Sequence, residues 1–250
     1  MNAHQFELNI RRLHMISTRM VVSIHTYFAL FLLIFGVAPI AQAQQAGMGM
    51  GAEPAEPLEM GMFVTSKGVG DGANLGGLEG ADAHCQALAE EAGAGDRNWR
   101  AYLSTQATDS EPAVNAGDRI GDGPWANANG VLMAANLDDL HYNNSNLTYE
   151  NSVDENGNTV NSRAKGDDPN RHDVLTGTML DGTAPAAGTD ATCSNWTSKS
   201  DGQATVGHHD RHRGVTPGSP WNMAHPSRGC SQENLQASGG DGLYYCFAAD

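Results

Sequence analysis

All four cysteines of the chain, Cys85, Cys193, Cys230 and Cys246, lie downstream of an N-terminal segment built like an export signal. Arg11, Arg12 and Arg19 precede a mostly apolar run, and Ala41-Gln42-Ala43 supplies a small-x-small cleavage pattern before Gln44. His25 and Pro39 interrupt the run, which leaves it short of the roughly 20 unbroken apolar residues that span a bilayer. Residues 1–43 therefore read as a signal peptide, with no membrane insertion after cleavage and a secreted or periplasmic product. In an oxidising compartment an even number of cysteines reads as two disulfides. No pair has C-x-x-C spacing, which argues against a redox motif or a zinc ribbon. Four cysteines allow three connectivities, and spacing alone does not choose among them.

A disulfide framework suits the composition. Aromatic residues are only 6% of the chain and glycine accounts for 30 of 250 positions, so the core is modest and the loops are long. The formal net charge is −15, and the first 43 residues carry three arginines against Glu7, so the exported part is more acidic still. Such a surface repels nucleic acid and anionic lipid, whose binding relies on Lys and Arg neutralising phosphate. Residues 44–61 are rich in Gly, Met, Ala, Pro and Glu without periodicity and read as a flexible linker. One domain is expected over residues 62–250.

Met62-Phe63-Val64-Thr65 is a short β-prone run, and residues 68–80, full of Gly and Asp, read as a loop. Ala81, Cys85, Leu88, Ala89 and Ala92 then recur at helical spacing, with Asp82 placed for a first turn and Gly93 for a stop. Cys85 thus points inward from an amphipathic helix. Trp99 to Leu103 alternates as a half-buried strand does, and Val131-Leu132-Met133-Ala134 is a further strand candidate. Asp154-Glu155-Asn156-Gly157-Asn158 resembles the start of a calcium loop. Lys165 stands where the twelfth position of such a loop requires glutamate, and Asn156-Gly157 is a hairpin-turn signal. No Gly-x-Ser-x-Gly, phosphate-binding Gly-rich loop or His-Glu-x-x-His motif is present.

Several stretches taken together resemble the C-type lectin-like superfamily, in its exported bacterial lectin-like and endostatin-like branches. They are Phe63-Val64-Thr65, the run Leu75-Gly76-Gly77-Leu78-Glu79-Gly80-Ala81-Asp82-Ala83-His84-Cys85, Cys193-Ser194-Asn195-Trp196, Trp221, Cys230 and Leu243-Tyr244-Tyr245-Cys246-Phe247. The resemblance implies an α+β fold with a small twisted antiparallel sheet flanked by helices and a long loop region. It also implies two disulfides, Cys85 with Cys246 and Cys193 with Cys230.

Members that bind sugar through calcium carry Glu-Pro-Asn or Gln-Pro-Asp in the long loop and Trp-Asn-Asp on a nearby strand. Here Trp221-Asn222 is followed by Met223, and no such Pro-centred triplet lies between residues 193 and 230. A thioether is a poor partner for calcium. Trp221 is expected in the core. His208, His209, His212 and His225 gather near Asp210, a set of imidazole and carboxylate groups suited to zinc. The expected function is an exported binding module for a glycan or a cell-surface protein. Its ligand face would draw on Asn195, His208, His209, Asp210, His212, Asn222 and His225. The alternative is a zinc-dependent hydrolase or zinc-binding protein whose metal candidates are His208, His209, Asp210, His212 and His225.

Overall fold

The computed structural model describes residues 56–144, 146–211 and 220–250. The signal-peptide reading and most of the linker lie outside these residues. The spine is the last strand, β8 (Gly240–Ala248). Its Leu243-Tyr244-Tyr245-Cys246-Phe247-Ala248 run is apolar at every position, the pattern of a strand covered on both faces. Alternation sorts these side chains. Tyr244, Cys246 and Ala248 enter one core layer with Phe63, Leu88 and Trp99. Leu243, Tyr245 and Phe247 enter a second layer with Met62, Tyr102, Trp125 and Trp221.

Strand β8 is also occupied along both edges. β1 (Met62–Val64) pairs antiparallel with it in the register Met62–Phe247 to Val64–Tyr245. β2 (Trp99–Ala101) pairs antiparallel on the other side, Trp99–Ala248 to Ala101–Cys246. β5 (Asp173–Leu175) continues the sheet beside the first half of β8, with Asp173 facing Gly240 and Leu175 facing Tyr244. β6 (Thr205–His208) and the two-residue edge strand β7 (His225–Pro226) follow, so the order is β1-β8-β5-β6-β7 with β2 also on β8. β3 (Trp125–Ala126) and β4 (Leu132–Ala134) form a separate ribbon. The fold is α+β with a small, mainly antiparallel sheet, few helices and two disulfides. One pair departs from the antiparallel pattern, since β5 runs parallel to β8. The long connection between them, which includes β6 and β7, supplies the crossover that parallel pairing requires.

Helix α1 (Gly77–Glu91) starts four residues before the apolar periodicity, inside the stretch read as loop. Gly76 caps it at φ 78°, and a Cβ on Gly80 would stand 2.1 Å from the Leu75 carbonyl oxygen. The glycines thus serve the tight entry of a helix, and tertiary packing overrides their low helical preference. Asp82 consequently lies inside the helix. It accepts from Arg119 Nη2 at 2.7 and 2.8 Å and from the Ala101 backbone N–H at 2.9 Å, which ties the helix to β2.

Two disulfides complete the frame. Cys85 on α1 joins Cys246 on β8 over a Cα separation of 5.6 Å, and Cys193 joins Cys230 over 5.7 Å. This is the connectivity that the resemblance implies. Cys193 opens α2 (Cys193–Trp196), a single left-handed turn whose four non-glycine residues have φ between 47° and 67°. Helix α3 (Gln232–Ser238) is capped by Ser231, which accepts from the Asn234 N–H, and ends at Gly239. Packing of the chain begins slightly before residue 62, because the Gly61 N–H donates to the Ala126 carbonyl at 2.8 Å. Residues 154–158 form a turn closed by a Val153–Thr159 bridge. Asp154 Oδ1 accepts from the backbone N–H groups of Asn156 and Asn158, which closes the turn. No helix among the described residues is long and apolar enough to cross a membrane.

The Cys85–Cys246 bond closes the longer of the two disulfide loops and clamps α1 to the spine strand. The C85A/C246A variant is expected to lose about 2–4 kcal/mol of unfolding free energy, measured by urea denaturation. An unchanged midpoint would mean that the β1 and β2 ladders hold β8 without it.

Candidate functional site

Asp173 is the first residue of β5, and its side chain is only 2% exposed. Directly across the ladder stands His208, the last residue of β6, and β7 places His225 opposite Val206. Side chains two residues apart share a face, so Asp173, His208 and His225 all project from the same side of the sheet. His172, one residue before β5, stacks its ring on His208 at a centroid distance of 4.3 Å. The outcome is a convergence on one oxygen. His172 Nε2 and His208 Nε2 each lie 3.1 Å from Asp173 Oδ1, and His225 Nε2 lies 3.5 Å from it. The two Nε2 atoms of His208 and His225 are 3.0 Å apart.

These distances would suit hydrogen bonds, but the angles do not. Both Asp173 carboxylate oxygens are buried without a hydrogen-bond partner. A carboxylate enclosed in this way carries a desolvation cost of several kcal/mol unless a cation or donor meets it. His208 Nε2 and His225 Nε2 instead pair with each other. His225 Nδ1 is 3.0 Å from the Pro226 carbonyl, so Nδ1 carries the proton and Nε2 presents its lone pair. His172 Nδ1 is 3.3 Å from Asp210 Oδ1, which orients that ring in the same sense. Asp210 is itself held by Ser162 Oγ and the Ala164 N–H, each at 3.1 Å. Burial by itself would raise the Asp210 carboxyl. The hydrogen bonds from His172 and Ala164, with the nearby imidazoles, outweigh this and hold it well below the usual carboxylate range. A carboxylate behind an imidazole whose other nitrogen faces inward is the arrangement that orients histidine ligands in metal centres.

The donor atoms of His172, Asp173 and His208 all lie within 4.8 Å of one another. Around tetrahedral Zn²⁺, bonds of about 2.0–2.1 Å place neighbouring donors about 3.3 Å apart. The separations from Asp173 Oδ1 to the three Nε2 atoms and between His208 and His225, 3.0–3.5 Å, are near that edge length, while His225 stands beside the close group of His172, Asp173 and His208 and outside it. A donor set dominated by imidazole suits zinc and does not suit calcium, which takes oxygen ligands.

Of the residues singled out in the sequence, His208 and His225 converge and Asp210 stands behind His172 as an orienting group. His209 is fully buried on the other side. Its Nε2 faces the Asn161 carbonyl at 3.2 Å, and burial holds its imidazole down to about 4. It therefore cannot join the cluster. His212 lies outside the described residues. Asn195 sits in the left-handed turn α2. Its side-chain amide pairs with the Gln106 backbone, accepting at 2.9 Å and donating at 3.0 Å. Asn222 is buried, and its Nδ2 donates to Tyr102 Oη and to the Met179 and Leu180 carbonyls at 3.1–3.2 Å. Both amides are occupied in holding loops, so among the described residues Asn195 and Asn222 do not join the histidines in one polar face. Trp221 is in the core, 4.7 Å from the Tyr102 ring and 5.2 Å from Tyr245. Gly207 makes this crossing possible, since a Cβ there would stand 1.7 Å from the Trp221 carbonyl oxygen.

His172 and Asp173 escaped the sequence reading. The four converging positions, 172, 173, 208 and 225, are neighbours across strands and so have no shared spacing along the chain. The available signal was a His-Asp pair at the head of the apolar Val174-Leu175 run, where a buried charge needs a partner. Comparison with protein-family models and with curated proteins yields no match for the chain.

Because Asn222 anchors two carbonyls and a phenol, Asn222→Ala is expected to cost about 1–3 kcal/mol of stability, read from the thermal or urea midpoint. A stability within about 0.5 kcal/mol of wild type would show that the amide is not a core strut.

Proposed function

We propose that the protein is an exported, metal-stabilised binding module holding one Zn²⁺ through His172, Asp173, His208 and His225. The observation that carries this is the convergence of three imidazole Nε2 atoms on a buried carboxylate that no hydrogen bond satisfies. A zinc ion supplies the missing positive charge and accepts the inward-facing lone pairs. Asp210 holds His172 in the required orientation, and the Pro226 carbonyl does the same for His225.

His172, Asp173 and His208 form the close group, and His225 beside them is the fourth ligand of the binding reading; a hydrolytic centre would keep that position for water. The finer fold reading is C-type lectin-like, supported by the Cys85–Cys246 and Cys193–Cys230 bonds and by the helix-to-final-strand clamp. Within it, Asn222 is turned into the core and Met223 follows, so recognition of a glycan or a cell-surface protein would proceed without the calcium-bridged sugar triplet.

Metal analysis of purified protein loaded with Zn²⁺ and dialysed should return about one equivalent, and His208→Ala should lower this several-fold. Zinc at about 100 times its Kd should raise the thermal midpoint by roughly 5–10 °C, reversed by chelator. Correctly folded wild type that keeps no zinc after loading would refute the assignment. Asp210→Asn is expected to weaken zinc binding by roughly 10–100-fold while the circular dichroism of the fold is retained. An unaltered zinc affinity would remove Asp210 from its orienting role.

A further inference from the structure

A cleft of about 580 Å³ is lined by His172 and by three guanidinium-bearing residues, Arg163, Arg171 and Arg228. This is unexpected in a chain with a net charge of −15. The described cations elsewhere tend to be tied to carboxylates, as Arg97 is to Asp250, Arg119 to Asp82 and Lys199 to Asp71. In the cleft, Arg171 is held in the same way, its Nε 3.0 Å from Asp241 Oδ2. Asp241 is further occupied at its other oxygen, which accepts from Gln232 Nε2 at 2.7 Å and Gln236 Nε2 at 2.9 Å. Arg163 and Arg228 differ. Both are exposed, and among the described residues neither forms an ion pair. The remaining carboxylate of the lining, Asp168, is likewise without an ion pair among those residues, so it offsets only part of the positive charge.

Glycine keeps one part of the lining low. Gly239, at φ 108°, closes α3, and a Cβ there would stand 2.8 Å from Asn170 Nδ2 and 3.0 Å from His172 Nε2. Its hydrogen leaves the cleft open down to the imidazole edge. Each guanidinium is a planar fork that binds two oxygens in parallel. A tetrahedral oxyanion, with more oxygens and more charge than a carboxylate, offers two forks on separate loops more paired acceptors.

We propose that this cleft binds a ligand through a tetrahedral oxyanion group of the phosphate type, gripped by Arg163 and Arg228. Its volume lies in the range of small-molecule sites, about 300–1,000 Å³, and leaves room for the organic part of a phosphate ester beyond the anion. The grip does not require the zinc centre, because both arginines belong to loops outside the four-donor set.

The test is calorimetric titration of zinc-loaded wild type with inorganic phosphate, with a hexose 6-phosphate and with acetate, repeated on R163Q/R228Q and on His208→Ala. Both substituted arginines are exposed, so the double variant should keep the wild-type thermal midpoint, which is measured alongside. Phosphate binding that exceeds acetate binding and falls about tenfold or more in R163Q/R228Q supports the proposal. Tighter binding of the hexose phosphate than of inorganic phosphate assigns the rest of the cleft to the ester, and equal binding assigns the site to the free ion. Equal affinity for acetate, or an unchanged phosphate affinity in R163Q/R228Q, overturns it. Phosphate binding lost in His208→Ala but kept in the arginine variant would place the anion on the metal and also overturn it. If wild type holds no zinc yet binds phosphate through the arginines, the zinc assignment falls and the cleft stands.

Discussion

Everything in the domain leans on the nine-residue strand Gly240–Ala248, buried on both faces and hydrogen-bonded along both edges. A strand in that position must satisfy two core layers and two ladders at once, so its register is strongly specified: a slip of one residue would exchange Tyr244, Cys246 and Ala248 with Leu243, Tyr245 and Phe247. The Cys85–Cys246 bond adds a covalent restraint at the same point. With few aromatic residues available, the chain spends most of them here. Phe63 and Trp99 lie at 4.9 Å on one face, and Trp125 meets Phe247 edge-on at 5.4 Å on the other.

The four-donor site inherits its geometry from this spine. β5 is positioned by Gly240 and Tyr244 of β8, β6 by β5, and β7 by β6. Asp173, His208 and His225 are therefore carried on three successive strands outward from the most constrained element. Burial decreases in the same direction, from 2% side-chain exposure at Asp173 through 17% at His208 to 41% at His225. The candidate ligands are anchored from within, and the last of them faces solvent on an edge strand.

The local pieces were largely legible. The helical face around Cys85, the Met62–Val64 strand and the Asn156-Gly157 turn all follow from periodicity or turn chemistry that operates over a few residues. Misreadings arose where distant contacts outweighed local preference. Residues 77–80 look like a loop because glycine disfavours helix, yet they open α1 because a side chain at Gly80 would strike the Leu75 carbonyl. Asn195 and Asn222 look like exposed polar contacts, yet their amides satisfy backbone groups of loops more than forty residues away. The His208-His209 pair shows the limit most clearly. Adjacent residues on an extended strand point to opposite faces, so one imidazole joins the cluster while its neighbour is buried behind it.

The sequence alone determined that the cysteines are even in number, that the chain is acidic and sparing in aromatic residues, and that a helical face surrounds Cys85. These depend on composition and on patterns within a few residues. Only the tertiary structure decided that His172 and Asp173 meet His208 and His225, and that Asp210 orients the cluster from behind. Cross-strand pairing is what brings these side chains together, and its register follows from the packing of the whole sheet.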